Sequence, residues 1–248
     1  MIKKEELLKS GERLDSLDRN NLYLIQNPTK FCFGIDAVLL SSFLKADKGD
    51  KILDLCTGTG VIPILLSDKT EASVIRGLEI QKDICDMAKR SVLYNNLSEK
   101  VDIILGDVKD ASKIFGASSF DIVCVNPPYM KNNHGIKNPD NSKYISRHEV
   151  LCTLDDVIRE TGKILNTKGK FFMVHRPTRL VDIFTTMRHY DIEPKRMRLV
   201  FPYKDKEPNL VLVEGVKGGG GEIRIEKPLI VYKDKNVYTD EVLYEYGK

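Results

Sequence analysis

The chain has 248 residues, with 39 Lys and Arg against 36 Asp and Glu, a formal net charge of +3. That length suits one α/β domain or two small ones, and 42% apolar with 30% charged residues fits a folded globular protein. No apolar run approaches the roughly 18 residues of a spanning helix, so no membrane protein is expected.

The opening residues contain no apolar stretch long enough for a secretory signal. Cys32, Cys56, Cys85, Cys124 and Cys152 form no CxxC pair, so the expectation is a cytosolic protein with neither a disulfide framework nor a metal site. Residues 1–48 read as a lead-in, strand-like over 21–26 and helical over 36–44. Lys51-Ile-Leu-Asp-Leu-Cys56 is an apolar run entering Thr57-Gly-Thr-Gly60, and the stretch to Leu66 reads as a helix. Residues 73–79 form a second strand, followed by a helix over about 82–95, then strands at 101–105 and 120–125. After a polar stretch come a helix over 154–165, a strand over 170–174 and a helix over about 178–190. Strands alternating with helices imply βαβ units, hence a doubly wound, Rossmann-like and mostly parallel sheet of seven strands. Near the end, 193–201 and 209–216 are separated by a turn too short for a helix, so they should pair antiparallel as an edge hairpin. The organisation expected is a lead-in (1–48), a catalytic domain (49–216) and a glycine linker with an extension (217–248), in which 228–232 offers one more strand.

Charge is uneven along the chain. Residues 49–130 carry nine Lys/Arg and twelve Asp/Glu, whereas 170–204 carry eight and three. Either the two halves simply present different solvated faces, or an acidic cofactor half adjoins a basic substrate surface.

Three motifs carry chemistry. Asp54-Leu-Cys-Thr-Gly-Thr-Gly60 leaves the first core strand, where glycines let the backbone turn and approach a ligand. A phosphate loop needs Gly-Lys-Ser/Thr next, and the dinucleotide fingerprint needs a small residue at 63; Val61-Ile-Pro63 satisfies neither. A purely structural turn is the plainer alternative. Glu79 ends the second strand 19 residues after Gly60, where an acid can accept both hydroxyls of a ribose. Asp107 ends the third strand in the same manner and can accept from an adenine amino group. Asn126-Pro-Pro-Tyr129 follows the fourth strand; two prolines there make a rigid terminus, and their position places it at the same sheet edge.

This order of motifs resembles the class I S-adenosylmethionine-dependent methyltransferases, among which Asn-Pro-Pro-Tyr marks enzymes acting on a planar, conjugated nitrogen. Phe31-Cys-Phe-Gly-Ile-Asp-Ala-Val-Leu-Leu40 and Arg147-His-Glu149 extend the likeness to bacterial tRNA(Val) adenine N6-methyltransferases. One departure is Cys56, where a glycine is usual. The resemblance implies S-adenosylmethionine held by Asp54, Thr57, Gly58, Gly60, Glu79, Asp107 and Asn126. It implies catalysis by Asn126, Pro127 and Tyr129, and a tRNA anticodon loop as partner. Tyr129, Lys131 and Arg147 from the polar stretch, with Arg196 and Arg198 from the basic one, are the expected substrate contacts. Three alternatives stay open on the sequence: a glutamine-amide protein methyltransferase, an rRNA guanine-N2 methyltransferase, and an idle fold retained for RNA binding.

Overall fold

Apolar residues occupy both faces of the central strands, as in a sheet covered by helices on each side. In β3 (Lys51–Leu55), Ile52 joins one core cluster while Leu53 and Leu55 join the other. The computed structural model describes residues 4–30, 32–127 and 152–247. Before β3, the hairpin β1 (Arg13–Ser16) and β2 (Tyr23–Gln26) leads to α1 (Ile35–Phe43). The hairpin is pinned to α3 (Lys82–Tyr94): the Ile25 amide donates to Ser91 Oγ at 2.9 Å, and the Tyr23 amide to Asn95 Oδ1 at 2.9 Å.

After β3 come α2 (Val61–Lys69), β4 (Val74–Glu79), α3, β5 (Val101–Leu105), α4 (Ala111–Phe115) and β6 (Phe120–Val125). Then follow α5 (Leu154–Ile164), β7 (Leu165–His175), α6 (Leu180–His189), β8 (Ile192–Phe201) and β9 (Leu210–Lys217). A capping box starts α5, with Thr153 and Asp156 each accepting the other's backbone amide. Helices α1, α2 and α3 cover one face of the sheet, and α4, α5 and α6 the other.

The sheet runs β8-β9-β7-β6-β3-β4-β5. Strands β3 to β7 pair in parallel, while β9 is antiparallel to both neighbours and lies between β7 and β8. The expected hairpin therefore forms at this end of the sheet, with β8 outside β9. Two short strands, β10 (Arg224–Ile225) and β11 (Leu229–Ile230), pair in parallel with β8, so the described sheet has nine strands rather than seven. The chain closes with the small hairpin β12 (Tyr232–Asp234) and β13 (Val237–Tyr238), then α7 (Asp240–Glu245). Leu229, Val231 and Val242 from this segment are buried in the same cluster as α1. No helix among the described residues is long and apolar enough to cross a membrane.

Candidate active site

Strand order reverses between β3 and β6, because β4 and β5 continue on one side of β3 and β6 with β7 on the other. A crevice opens at such a point outside the carboxyl ends of the strands, the usual ligand position in a doubly wound sheet. The structure brings Asp54, Thr57, Gly58, Gly60, Glu79, Asp107, Asn126 and Pro127 to this end, on four adjacent strands.

The first turn is built by its backbone. Gly58 has φ +57° and Gly60 has φ +84°, both left-handed. The Gly60 amide donates to Thr57 O at 3.0 Å, and the Thr57 amide to Leu78 O at 3.0 Å. A Cβ on Gly58 would meet no atom within 4 Å, so open space lies directly against the turn. Thr57 leans over Gly77 in β4, where a Cβ would stand only 2.8 Å from Thr57 Oγ1.

Glu79 joins the strand ends together. Its Oε2 accepts the Gly58 amide at 2.9 Å, and its Oε1 the Gln81 amide at 2.8 Å. Burial raises the Glu79 carboxyl above its ordinary value, opposed by these amides. Asp107 caps the short turn after β5, accepting the Lys109 amide at 2.9 Å. Two apolar side chains that the sequence reading passed over stand beside the acids: Ile80 is 37% exposed and Leu105, paired with Glu79, is 47% exposed. Apolar residues left in water at strand ends suit the faces of a planar ring. Their signal in the sequence was adjacency to Glu79 and Asp107.

Asp54 is fully buried, and burial, assisted by the nearby Glu79 charge, pushes its carboxyl up to about 7. Cys124 donates to its Oδ1 at 3.5 Å. Asp54 Oδ2 and Thr57 Oγ1 are buried without a hydrogen-bond partner in the protein. Unpartnered buried acceptors beside open space at a glycine turn fit a ligand bringing its own donors. Such donors are present in the ammonium group and ribose of S-adenosylmethionine.

Asn126, half-buried, and Pro127, buried, follow β6 immediately. Val125 lies opposite Met173 in β7, so the end of β7 runs alongside them. There His175 is buried, its Nδ1 accepting the Arg176 amide at 2.8 Å. Burial and the neighbouring Arg179 charge lower it to about 4, so it is neutral at physiological pH. Tyr129, Lys131 and Arg147, with Lys137, Lys143 and His148, lie outside the described residues.

Arg196 and Arg198 are both engaged within the protein. Arg196 is 7% exposed, with Nε on Glu214 at 2.5 Å, Nη1 on Glu226 at 3.2 Å and Nη2 on Phe43 O at 2.7 Å. Its guanidinium stacks 3.8 Å above the Phe43 ring. Arg198 donates to Lys227 O at 2.9 Å and Glu241 at 2.5 Å. Both hold the C-terminal segment onto β8, and the buried Arg196 presents no open guanidinium to a phosphate.

The methyltransferase small domain model matches residues 30–189, from ahead of α1 to the end of α6. The chain belongs to that methyltransferase family. Among curated relatives, the tRNA1(Val) (adenine(37)-N6)-methyltransferase of Porphyromonas gingivalis is 28% identical over 187 residues, covering 73% of this chain and 72% of that protein. The enzyme of the same name from Parabacteroides distasonis is 25% identical over 181 residues, covering 73% and 75%. Among solved structures, a predicted O-methyltransferase from Agrobacterium tumefaciens aligns with a TM-score of 0.68 at 18% identity, over 86% of this chain and 95% of that one. Geranyl diphosphate C-methyltransferase from Streptomyces coelicolor, solved with S-adenosyl-L-homocysteine, aligns at 0.55 and 12% identity, over 86% and 95%. These structures establish the methyltransferase fold.

Proposed function

We propose that the protein transfers the methyl group of S-adenosylmethionine to the N6 amino group of adenosine 37 in the anticodon loop of tRNA(Val). The observation that carries this reading is the position of Asn126-Pro127, at the end of the strand beside the glycine turn and one strand further from Glu79. The names of the curated relatives support the same substrate.

The cofactor supplies a methyl group on a sulfonium, already electrophilic, so the difficulty lies with the nucleophile. The N6 lone pair is delocalised into the adenine ring and must localise as nitrogen moves toward sp3. Positive charge then grows on nitrogen, and its N–H groups become stronger donors. Acceptors set on those hydrogens bind the transition state better than the ground state, which raises turnover. Asn126 Oδ1 takes one hydrogen and the Pro127 carbonyl the other, while Tyr129 stacks on the base and holds it in line. No strong general base is needed. An anticodon loop lets the base leave its stack at lower cost than a duplex does.

Asn126→Ala should reduce methylation of tRNA(Val) transcripts by about 100-fold or more, because it removes an acceptor that matters mainly in the transition state. Calorimetry should show a far smaller change in cofactor affinity. Nucleoside mass spectrometry identifies the product. Methyl transfer by the wild type to protein amides and not to RNA would overturn the substrate.

A further inference from the structure

Cys56 occupies the first turn with φ +58°, a left-handed conformation that disfavours a side chain with a Cβ relative to glycine. Its sulfur lies 4.0 Å from that of Cys152, which is buried immediately ahead of the capped start of α5. Both are free thiols; Cys152 is buried and Cys56 is half-buried as a residue. By contrast, Cys124 is buried and engaged with Asp54, and Cys85 is buried within the opposite cluster. We infer that Cys56 and Cys152 are a reversible oxidation site whose disulfide displaces the glycine turn and weakens cofactor binding.

The oxidant is hydrogen peroxide. The Cys56 thiolate attacks the peroxide oxygen, the O–O bond breaks, and a sulfenic acid forms as water leaves. Cys152 then attacks that sulfur, the S–S bond forms, and a second water leaves. Two thiols and one hydrogen peroxide thus give one disulfide and two waters. A dithiol reductant reverses the change by exchange.

An S–S bond is about 2 Å long, so the 4.0 Å separation must close by nearly half. Cys152 is backed by the Thr153–Asp156 capping box, which leaves the turn as the more yielding side. Movement of Cys56 carries Thr57 and Gly58 with it, including the Gly58 amide that holds Glu79. Contact with Cys152, then burial, raises the Cys56 thiol well above its usual value, so little thiolate is present and oxidation requires sustained peroxide. The inference rests on cofactor binding at this turn and not on the identity of the methylated substrate.

The test treats the full-length protein with hydrogen peroxide under native conditions, alkylates remaining thiols, and maps peptides by mass spectrometry. A linked Cys56–Cys152 peptide is expected, with affinity for S-adenosylmethionine about tenfold weaker and restored by dithiothreitol. Cys152→Ser should keep its affinity through the same treatment. Recovery of both cysteines alkylated overturns the inference, as does a linked protein with unchanged affinity. Equal loss of affinity in Cys152→Ser places the damage elsewhere and overturns it as well.

Discussion

Asp54 and Glu79 are two carboxylates sealed beneath one turn, and their burial is the cost of keeping acceptors ready for a ligand. For Asp54 the folded protein favours the protonated form, with its carboxyl near 7 against an unfolded value of 3.8. The native state therefore holds an extra proton between these values, and stability declines as pH rises through that window. Wild type should lose roughly 2–4 kcal/mol relative to Asp54→Asn between pH 4 and pH 8, read from urea denaturation at each pH. A difference that stays constant with pH would mean Asp54 titrates normally. Glu79→Ala removes an acceptor beside the glycine turn and should weaken S-adenosylmethionine binding by roughly 1–3 kcal/mol in calorimetry. Unchanged affinity would remove Glu79 from the site. These acids were legible in the sequence because a strand end, a glycine turn and an offset of some 20 residues are local features. The raised titration of Asp54 was not, since it depends on burial by neighbouring elements and on the Glu79 charge arriving from β4.

At the scale of elements, the β8–β9 hairpin shows where reading charge along a chain fails. Length and turn spacing announced two antiparallel strands, and β8 and β9 form as expected. Arg196 and Arg198 looked like a nucleic-acid surface because a count of charges contains no partners. Their carboxylates, Glu214, Glu226 and Glu241, lie 18, 30 and 43 residues further along. Arg196→Ala leaves Glu214, Glu226 and the Phe43 carbonyl short of a donor and should cost about 3–5 kcal/mol of stability. Its effect on tRNA affinity should be small at temperatures where the variant is folded, as read by filter binding. Arg176 is exposed at the end of β7, beside Asn126-Pro127, with one arm on Asn209 O at 2.9 Å. Arg176→Ala should lower the slope of log affinity against log salt by roughly 0.7–0.9, the signature of one phosphate contact. The opposite ranking of these two variants would return the RNA to the hairpin. The short strand β10 escaped the sequence reading because two residues cannot establish a period, whereas β11 falls within the apolar run over 228–232 that the sequence offers as a strand.

For the molecule as a whole, the segment after the glycine run belongs to the hydrophobic interior. Leu229, Val231 and Val242 pack with α1, and three stacked rings, Tyr232, Tyr238 and Tyr246, fasten the segment to itself. A chain ended at residue 216 exposes that cluster and should lose on the order of 5 kcal/mol, since each buried aliphatic side chain is worth roughly 1.5–3 kcal/mol. Circular dichroism melting of the shortened chain checks this, and an unchanged midpoint would show the segment to be an independent appendage.

The place of β9 also sets an order in time. A nascent chain leaving the ribosome presents β7 and then β8, yet the two have no common border until residues 210–217 emerge to lie between them. Until then both strands carry open rows of amides and carbonyls, the template on which neighbouring chains pair. A chain halted just after β8 should therefore be cleaved readily by protease and associate with itself or with chaperones, whereas one halted beyond β9 should resist. Synthesis of the last few strands decides whether the preceding two hundred residues become an enzyme or an aggregate.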